Sequence, residues 1–257
     1  MTEGRTSRIG LVLRFSIVFL LLSLPSGALP QEASISMATE AWPPFRMNDP
    51  QSPSGFRGID IDITNALSKA IGITIKIERH PWARALESMR TGQTDMITGV
   101  AYTSERETYM YYVPVSYYTV RPVFYTQKGK GRLFATYEDL RGPSVGYSLN
   151  SAYFEPFNSD RRINKVGLST EEQLLHAPAL RRIDITIGTD PNISFDIARL
   201  GYRDRLEPTR YQPPDKTDLF IALSRKSTAM AYAPDIKRAL QKLLREGTVQ
   251  AILDSYR

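Results

Sequence analysis

Short strand patterns alternate with amphipathic helical patterns along most of the chain. The first group predicts strands at residues 35–39, 73–79 and 95–100 and helices at residues 58–72 and 81–92. In the first helical segment, Ile59 and Ile63 begin a series of apolar residues at helical spacing, and Gly72 ends it. A strand–helix–strand–helix–strand series predicts parallel strands joined by helical crossovers.

A second α/β group follows a strand that leads into a loop rich in glycine and lysine. It comprises that strand at 120–131, strands at 143–148 and 184–189, helices at 170–182 and 194–201, a strand at 218–226 that crosses back, and a helical stretch at 233–256. Pro178 predicts a kink or break in one helix, and Gly247 a break in the last stretch. Two lobes joined by two crossings predict a cleft between them, where small ligands commonly bind.

A capped helix start follows the third strand, in the segment AYTSERETYM (101–110). Thr103 and Ser104 are both N-cap candidates, and Ser104 with Glu107 matches a capping box. Arg106 is unfavourable there, because the N-terminal end of a helix carries partial positive charge. Either a surface ion pair or a bound anion would offset that cost, and the local sequence leaves both open.

The N-terminal segment has the features of a secretory signal peptide. Arg5, Arg8 and Arg14 precede the apolar run 15–24, and small residues follow up to Ala28. The run is about half of the ~20 residues that a membrane span needs, so a retained anchor is the less favoured alternative. We therefore expect residues 1–28 to be removed and the protein to reach the periplasm. The absence of cysteine predicts no lipid anchor.

Composition and charge narrow the function classes. The 257 residues are 42% hydrophobic and 23% charged, as in ordinary globular proteins. The net charge of +6 becomes (33−3)−(27−1) = +4 without residues 1–28, too weak and scattered to predict nucleic-acid binding. With no cysteine and only His80 and His176, the sequence predicts no transition-metal site, and no cofactor is expected.

The order of several motifs resembles the periplasmic solute-binding proteins of polar amino-acid ABC importers, the extracellular solute-binding family three. These motifs are EAWPPF (40–45), GFRGIDIDITNALSKAIG (55–72), TSER (103–106), VGYSLNS (145–151), RRIDITIGTD (181–190), FIALSRK (220–226) and LQKLLREGTVQAILDSY (240–256). The resemblance implies an α/β fold of two lobes with two hinge crossings, the type II periplasmic-binding-protein fold. It places lobe I at 33–124 and 222–257 and lobe II at 125–221.

The same resemblance implies a monomeric receptor that passes a small ligand to a membrane permease, without catalysis. In this family the arginine of the T-x-x-R motif binds the α-carboxylate of an amino acid, which assigns that role to Arg106. Thr103 would add a hydroxyl, and Gly99 and Ala101 backbone groups. Bidentate binding of a carboxylate suits a planar guanidinium.

Further positions follow from the alignment of motifs. Trp42 falls where the family stacks an aromatic ring on the ligand, although a core tryptophan is the alternative. Ser151 matches the carboxylate contact of lobe II, with Asn150 in place of the usual glycine. Close approach of the backbone favours glycine there, so this substitution departs from the pattern.

The partner of the ligand's ammonium group remains open in the sequence. Family members use an aspartate after a strand of lobe II, where this chain has Thr189, with Asp190 one position later. A shift of one residue on a strand turns a side chain to the other face, so Asp190 is equally interpretable as a local cap. Glu40, at the end of the first strand, is the other acid expected near the cleft.

Two alternatives to a transport receptor remain. One is an enzyme on the same fold, such as a cyclohexadienyl dehydratase, which would need a positioned acid; Glu40 and Glu155 are available, but no motif supports either. The other is a module that senses a ligand and signals to a membrane partner without transport.

Overall fold

The computed structural model describes Met1 and residues 33–256, so the predicted signal peptide lies, apart from Met1, outside the described residues. Within them the chain forms a mixed α/β structure. The strands are β1 (Ser34–Thr39), β2 (Met47–Asn48), β3 (Phe56–Arg57), β4 (Thr74–Arg79), β5 (Met96–Ala101), β6 (Met110–Tyr112), β7 (Tyr118–Gln127), β8 (Ser144–Ser148), β9 (Asn164–Leu168), β10 (Ile185–Asp190), β11 (Leu206–Pro208) and β12 (Thr217–Ser224). The helices are α1 (Ile59–Ile71), α2 (Trp82–Thr91), α3 (Ser104–Glu107), α4 (Glu171–Ala179), α5 (Asn192–Arg199), α6 (Ala233–Arg245) and α7 (Thr248–Asp254).

One sheet runs through both halves of the structure in the order β4-β1-β5-β12-β7-β10-β8-β9. Strand β1 pairs in parallel with β4 and β5, whereas β12 pairs antiparallel with β5, β6 and the beginning of β7. The remainder of β7 pairs antiparallel with β10, which pairs in parallel with β8. We call the part around β1, β4, β5, β6 and β12 lobe I, and the part around β8 to β11 lobe II.

Each lobe has its own apolar core. In lobe I successive residues of β1 face opposite sides of the sheet, so that Ile35 and Met37 pack in one cluster and Ala38 in another. In lobe II, aromatic residues centred on Phe124 pack against the sheet. Val120, four residues earlier on β7, packs in the lobe I core. Strand β7 therefore joins the two cores.

The predicted elements are largely confirmed, with shifts at their ends. Helix α4 contains Pro178 and ends just after it, and Gly247 separates α6 from α7 with φ of 74°, which favours glycine. Sequence patterns missed β2, β3, β6 and β11, which have two or three residues and are too brief for a periodic signal, and also the five-residue strand β9. Because β7 and β12 contact both halves of the sheet, the boundaries 33–124, 125–221 and 222–257 stay a prediction.

The segment after β5 forms a single short helical turn. Thr103 is the N-cap of α3, and its Oγ1 accepts a hydrogen bond from the backbone N–H of Arg106 at 3.1 Å. The third helical position is therefore Arg106, and the predicted capping box between Ser104 and Glu107 does not form. Glu107 instead accepts a hydrogen bond from the Tyr102 hydroxyl at 2.5 Å.

None of the helices in residues 33–256 combines the length and the apolar content that a membrane crossing requires.

Candidate functional site

A cavity of about 80 Å³ lies where the two lobes meet beside the strands that connect them. We call it the central cavity. Its walls come from lobe I, lobe II and the crossing strands, and they consist of Glu40, Ala41, Trp42, Arg46, Trp82, Gly99, Ala101, Arg106, Val120, Ser148, Ser151, Ala152, Tyr153, Glu171, Gly188, Thr189, Thr217 and Leu219.

Arg106 is buried in this wall with 5% of its surface exposed. Its guanidinium donates one hydrogen bond to Ala101 O at 2.9 Å and one to Asn150 O at 2.6 Å. It lies over the ring of Trp82, 5.7 Å from the centroid. It forms no ion pair with a carboxylate of the described residues. Carbonyl dipoles and a ring do not neutralise a full charge, and a buried cation without a counter-charge is costly. Arg106 therefore favours an anion in the cavity.

Arg46 is a second buried arginine of the same wall, but it is paired with a carboxylate of the protein. Its Nη1 pairs with Asp60 Oδ2 at 2.5 Å and donates to Thr98 O at 3.1 Å, while Nε donates to Glu40 O at 3.0 Å. Asp60 also accepts a hydrogen bond from the Tyr117 hydroxyl at 2.7 Å. Burial raises the pKa of Asp60, and the Arg46 charge opposes that rise. This pair is a structural unit of lobe I.

Gly99 on β5 makes room for that pair. Its φ is 66°, and a Cβ at this position would lie 2.6 Å from Arg46 Nη1. A side chain there would be strained in conformation and would displace the guanidinium. The glycine thus lets Arg46 reach Asp60 beneath the cavity floor.

Two tryptophans supply aromatic walls. Trp42 stacks on Phe45 with ring centroids 4.4 Å apart, and the Arg46 guanidinium lies 5.1 Å from the Trp42 ring centroid. Trp82 lies under Arg106, and its indole Nε1, although buried, has no hydrogen-bond partner among the described residues. Buried polar groups are normally paired, so this unpaired N–H is an exception within the described residues.

Two acidic side chains, Glu40 and Glu171, also line the central cavity. Glu40 Oε2 accepts a hydrogen bond from the backbone N–H of Trp82 at 2.7 Å, and burial raises the pKa of Glu40. Glu171 is the first residue of α4, after the N-cap Thr170. Burial and the nearby Asp196 carboxylate raise the pKa of Glu171 to about 7, although a hydrogen bond with Ser148 opposes the rise.

Lobe II closes the cavity with the turn after β8. Asn150 has φ of 62°, the left-handed conformation that asparagine tolerates better than most residues, and its carbonyl faces Arg106. The asparagine thus has a backbone conformation that glycine adopts most readily. Ser151 lies beside it in the cavity wall, and its N–H donates to Ser148 O at 3.0 Å.

Side-chain hydrogen bonds also connect lobe I directly with lobe II. Besides the Arg106 contact to Asn150 O, Asn192 Nδ2 donates to Pro43 O at 2.7 Å, and Thr217 Oγ1 donates to Tyr153 O at 3.0 Å. These contacts link the two lobes.

The structure brings seven of the nine sequence-predicted site residues to the central cavity. They are Glu40, Trp42, Gly99, Ala101, Arg106, Ser151 and Thr189. The other two lie outside its lining. Thr103 caps α3, and Asp190 accepts a hydrogen bond from Ser194 Oγ at 2.5 Å.

Sequence reasoning missed Arg46, Trp82, Ser148 and Glu171 as members of the site. Glu171 matches an ordinary acid in the first turn of a helix, which gives no sign of a role in the site. Within the described residues, no three His, Asp or Glu side chains form a group that could hold a metal ion.

Comparisons with known proteins agree with this architecture. The sequence model of the "Bacterial extracellular solute-binding proteins, family 3" matches residues 35–257. No curated protein sequence matches the chain.

Solved structures resemble the chain over most of its length. An amino acid ABC transporter substrate-binding protein from Streptococcus pneumoniae, bound to L-arginine, is 17% identical with a TM-score of 0.76 and covers 87% of this chain and 94% of its own. The GluR0 ligand-binding core from Nostoc punctiforme, in complex with L-glutamate, is 20% identical with a TM-score of 0.72, covering 86% and 98%. A histidine kinase sensor domain with similarity to periplasmic binding proteins is 17% identical with a TM-score of 0.75, covering 88% and 96%. At these identities the likeness shows the fold, and the predicted two-lobe periplasmic-binding-protein fold is confirmed.

Proposed function

The chain belongs to the bacterial extracellular solute-binding proteins, family 3, and from that premise we propose that it is a receptor for an amino acid or a similar small carboxylate. It captures this ligand in the periplasm and presents it to the membrane permease of an ABC importer. The observation that carries the proposal is Arg106, a buried cation in the central cavity that no carboxylate of the described residues neutralises.

Arg106 binds the α-carboxylate in this proposal. Two of its five N–H donors are directed at carbonyls, so donors remain for a carboxylate. Ser151 contributes from lobe II, and the backbone of Gly99 and Ala101 from the end of β5. Thr103 acts indirectly by fixing the turn that carries Arg106.

Glu40 is the partner that we assign to the α-ammonium group. Its carboxylate lies in the cavity and is held by the N–H of Trp82, whose ring lies under Arg106. This connection keeps the acid near the carboxylate site, as the adjacent charges of an amino acid require. Trp42 forms an aromatic wall, and Thr189 adds a hydroxyl. Asp190 receives no ligand role, because it lies outside the cavity lining and binds Ser194.

Export and assembly form the remaining part of the proposal. A cleavable signal peptide at residues 1–28 directs the chain to the periplasm, where the protein works as a monomer without a lipid anchor. We assign binding rather than catalysis, because the family is one of binding proteins. No cofactor and no nucleic acid take part.

A sensing role is the second candidate, supported by the likeness to a histidine kinase sensor domain. It uses the same cavity and differs only in the membrane partner. Co-purification of the ligand-loaded protein with a permease, or with a sensor kinase, separates the two roles.

A ligand screen tests the proposed function. The purified protein is heated with each of the common L-amino acids and with small carboxylates, and the unfolding temperature is recorded. A ligand at one hundred times its dissociation constant adds about 2.7 kcal/mol of stability. Arg106→Ala should remove the shift, whereas Arg238→Ala, an exposed arginine of α6, should keep it. Equal shifts in wild type and Arg106→Ala would contradict the proposal.

A further inference from the structure

Arg106 lines both the central cavity and an adjoining cavity of about 500 Å³. Glu40 and Glu171 line the central cavity and a different adjoining cavity of about 720 Å³, which Arg57, Arg79 and Arg199 also line. A ligand held by Arg106 in the central cavity therefore meets both acids, and the cavity of about 720 Å³ leaves room beyond them.

Glu171 has no cationic partner of its own among the described residues. The groups that act on it are Asp196 of α5, Glu40 of lobe I, Arg46, Tyr153 and the hydroxyl of Ser148. The single cation among them, Arg46, is already paired with Asp60.

Of the arginines that line the adjoining cavity of about 720 Å³, Arg199 is also paired with acids. Arg199 Nε donates to Asp196 at 2.8 Å, and its Nη2 donates to the neighbouring Glu172 at 2.9 Å. Glu171 is thus a half-buried acid whose neighbours include other carboxylates, and burial together with the Asp196 charge raises its pKa to about 7. A ligand cation beside it would lower that pKa again and release a proton.

The charge balance of the cavity points to the class of ligand. With Arg46 and Asp60 cancelling each other, the cavity contains one positive group, Arg106, and two acids, Glu40 and Glu171. An amino acid with a neutral side chain satisfies Arg106 and Glu40 and leaves Glu171 unmatched. A second cation on the ligand matches Glu171 and brings the site to neutrality, which a buried site favours.

Glu40 and Glu171 can each be assigned to one cationic group of the ligand. Glu40 is tied through Trp82 to the neighbourhood of Arg106, where the α-ammonium must lie because it shares a carbon atom with the α-carboxylate. Glu171 enters from lobe II at the start of α4, next to the adjoining cavity of about 720 Å³.

We propose that Glu171 is a specificity-determining residue that binds a distal ammonium or guanidinium group, so that the preferred ligands are amino acids with a cationic side chain. This inference rests on the proposed function and names the substrate class of the same cavity.

L-Arginine and L-citrulline provide the test pair, because they differ in replacing a guanidinium by a neutral ureido group of nearly equal size. Titration calorimetry on the full protein at pH 8 should give arginine at least tenfold tighter binding than citrulline. Glu171→Gln should reduce that preference to less than threefold. The control is Glu246→Gln, which removes an exposed acid next to Lys242 and away from these cavities; it should keep the preference.

The pH dependence of arginine affinity in the wild-type protein is a second test, and it needs no variant. Between pH 8 and pH 6 the ionised fraction of a carboxyl with pKa of about 7 falls about tenfold. Arginine affinity should fall about tenfold over this range, because the protonated Glu171 no longer matches the guanidinium. Citrulline affinity should change much less, and Glu171→Gln should remove the difference.

The outcomes separate this inference from the proposed function. Citrulline binding as tight as arginine binding, or an unchanged preference and pH dependence in Glu171→Gln, would overturn the inference and leave the receptor function standing. Failure of the folded wild type to bind any amino acid or small carboxylate would overturn the proposed function, and the inference with it.

Discussion

Arg46 and Arg106 line the same cavity and are almost equally buried, with 4% and 5% of their surfaces exposed. Each lies over a tryptophan ring, 5.1 Å and 5.7 Å from the centroid respectively. They differ in their anionic partners, since Arg46 is paired with Asp60 and Arg106 is bound only by carbonyl groups. Burial of an arginine therefore does not by itself mark a binding residue; the partner that neutralises it decides its role.

The difference arises from the chain around each residue. Arg46 and Asp60 lie on either side of a short hairpin of β2 and β3, and Gly99 leaves space for their contact. Arg106 lies on α3, where its nearest acidic neighbours in sequence, Glu105 and Glu107, are more exposed than Arg106. One arginine thus stabilises lobe I, and the other remains available to an anion.

Breaking the Arg46 pair should have the largest effect on stability. Asp60→Ala leaves the Arg46 charge buried without its partner, and such a loss costs about 3–5 kcal/mol. Denaturant unfolding measures it. The control Asp235→Ala removes an exposed pair with Arg238 and should change stability by less than about 0.5 kcal/mol. A cost below about 1 kcal/mol for Asp60→Ala would contradict the structural role of the pair.

Removing Arg106 should show the opposite pattern, with a large effect on ligand binding and a smaller one on folding. Loss of a buried charged partner costs a ligand about 2 kcal/mol or more, a thirtyfold loss of affinity, and titration calorimetry measures it. The unfolding free energy should fall less than in Asp60→Ala, because only hydrogen bonds to carbonyls are lost. A stability loss as large as that of Asp60→Ala, with ligand affinity unchanged, would reverse the assignment of the two arginines.

The hydrogen bond between Asn192 and Pro43 should have an intermediate effect. Asn192→Ala removes a donor that is 1% exposed and leaves the Pro43 carbonyl unpaired, at a cost of about 1–3 kcal/mol in unfolding free energy. Because neither residue lines the central cavity, ligand affinity should change less than tenfold. An affinity loss equal to that of Arg106→Ala would show that lobe contacts, rather than the arginine, dominate binding.

Replacement of Asn150 should have the smallest effect. Arg106 binds the backbone carbonyl of Asn150, so Asn150→Gly keeps the contact and suits the φ of 62°. Stability should change by less than about 1 kcal/mol, and ligand affinity by less than threefold, in parallel unfolding and calorimetric experiments. A tenfold affinity loss would instead show that the Asn150 side chain contacts the ligand.

The sequence predicted the fold well because its long elements have strong periodicity. Helix α1 and strand β4 were predicted within one or two residues, and the break at Gly247 is confirmed. Strands of two or three residues form only because tertiary neighbours pair with them, as β6 pairs with β12. Such elements leave no pattern in the sequence.

The site was predictable where a residue belongs to a local motif. Arg106 follows the N-cap residue Thr103. A cation is unfavourable in the first turn of a helix, and this indicated a functional role for Arg106. Glu171 follows a similar N-cap residue, Thr170. An acid is favourable in the first turn of a helix, so its presence there does not indicate a binding role. Its place in the cavity depends on the packing of α4 against β8 and β10, which local sequence does not encode. The pairing of Arg46 with Asp60 likewise depends on the hairpin between them.

A thermodynamic cycle on the α-carboxylate of the ligand tests most directly whether Arg106 binds that group. Titration calorimetry compares the tightest-binding L-amino acid of the screen with its α-carboxamide, on wild type and on Arg106→Ala. If Arg106 binds the carboxylate, the carboxamide binds wild type at least thirtyfold more weakly, and the two ligands bind Arg106→Ala within about threefold of each other. Equal losses for the carboxamide in both proteins would contradict the claim that Arg106 is the carboxylate partner.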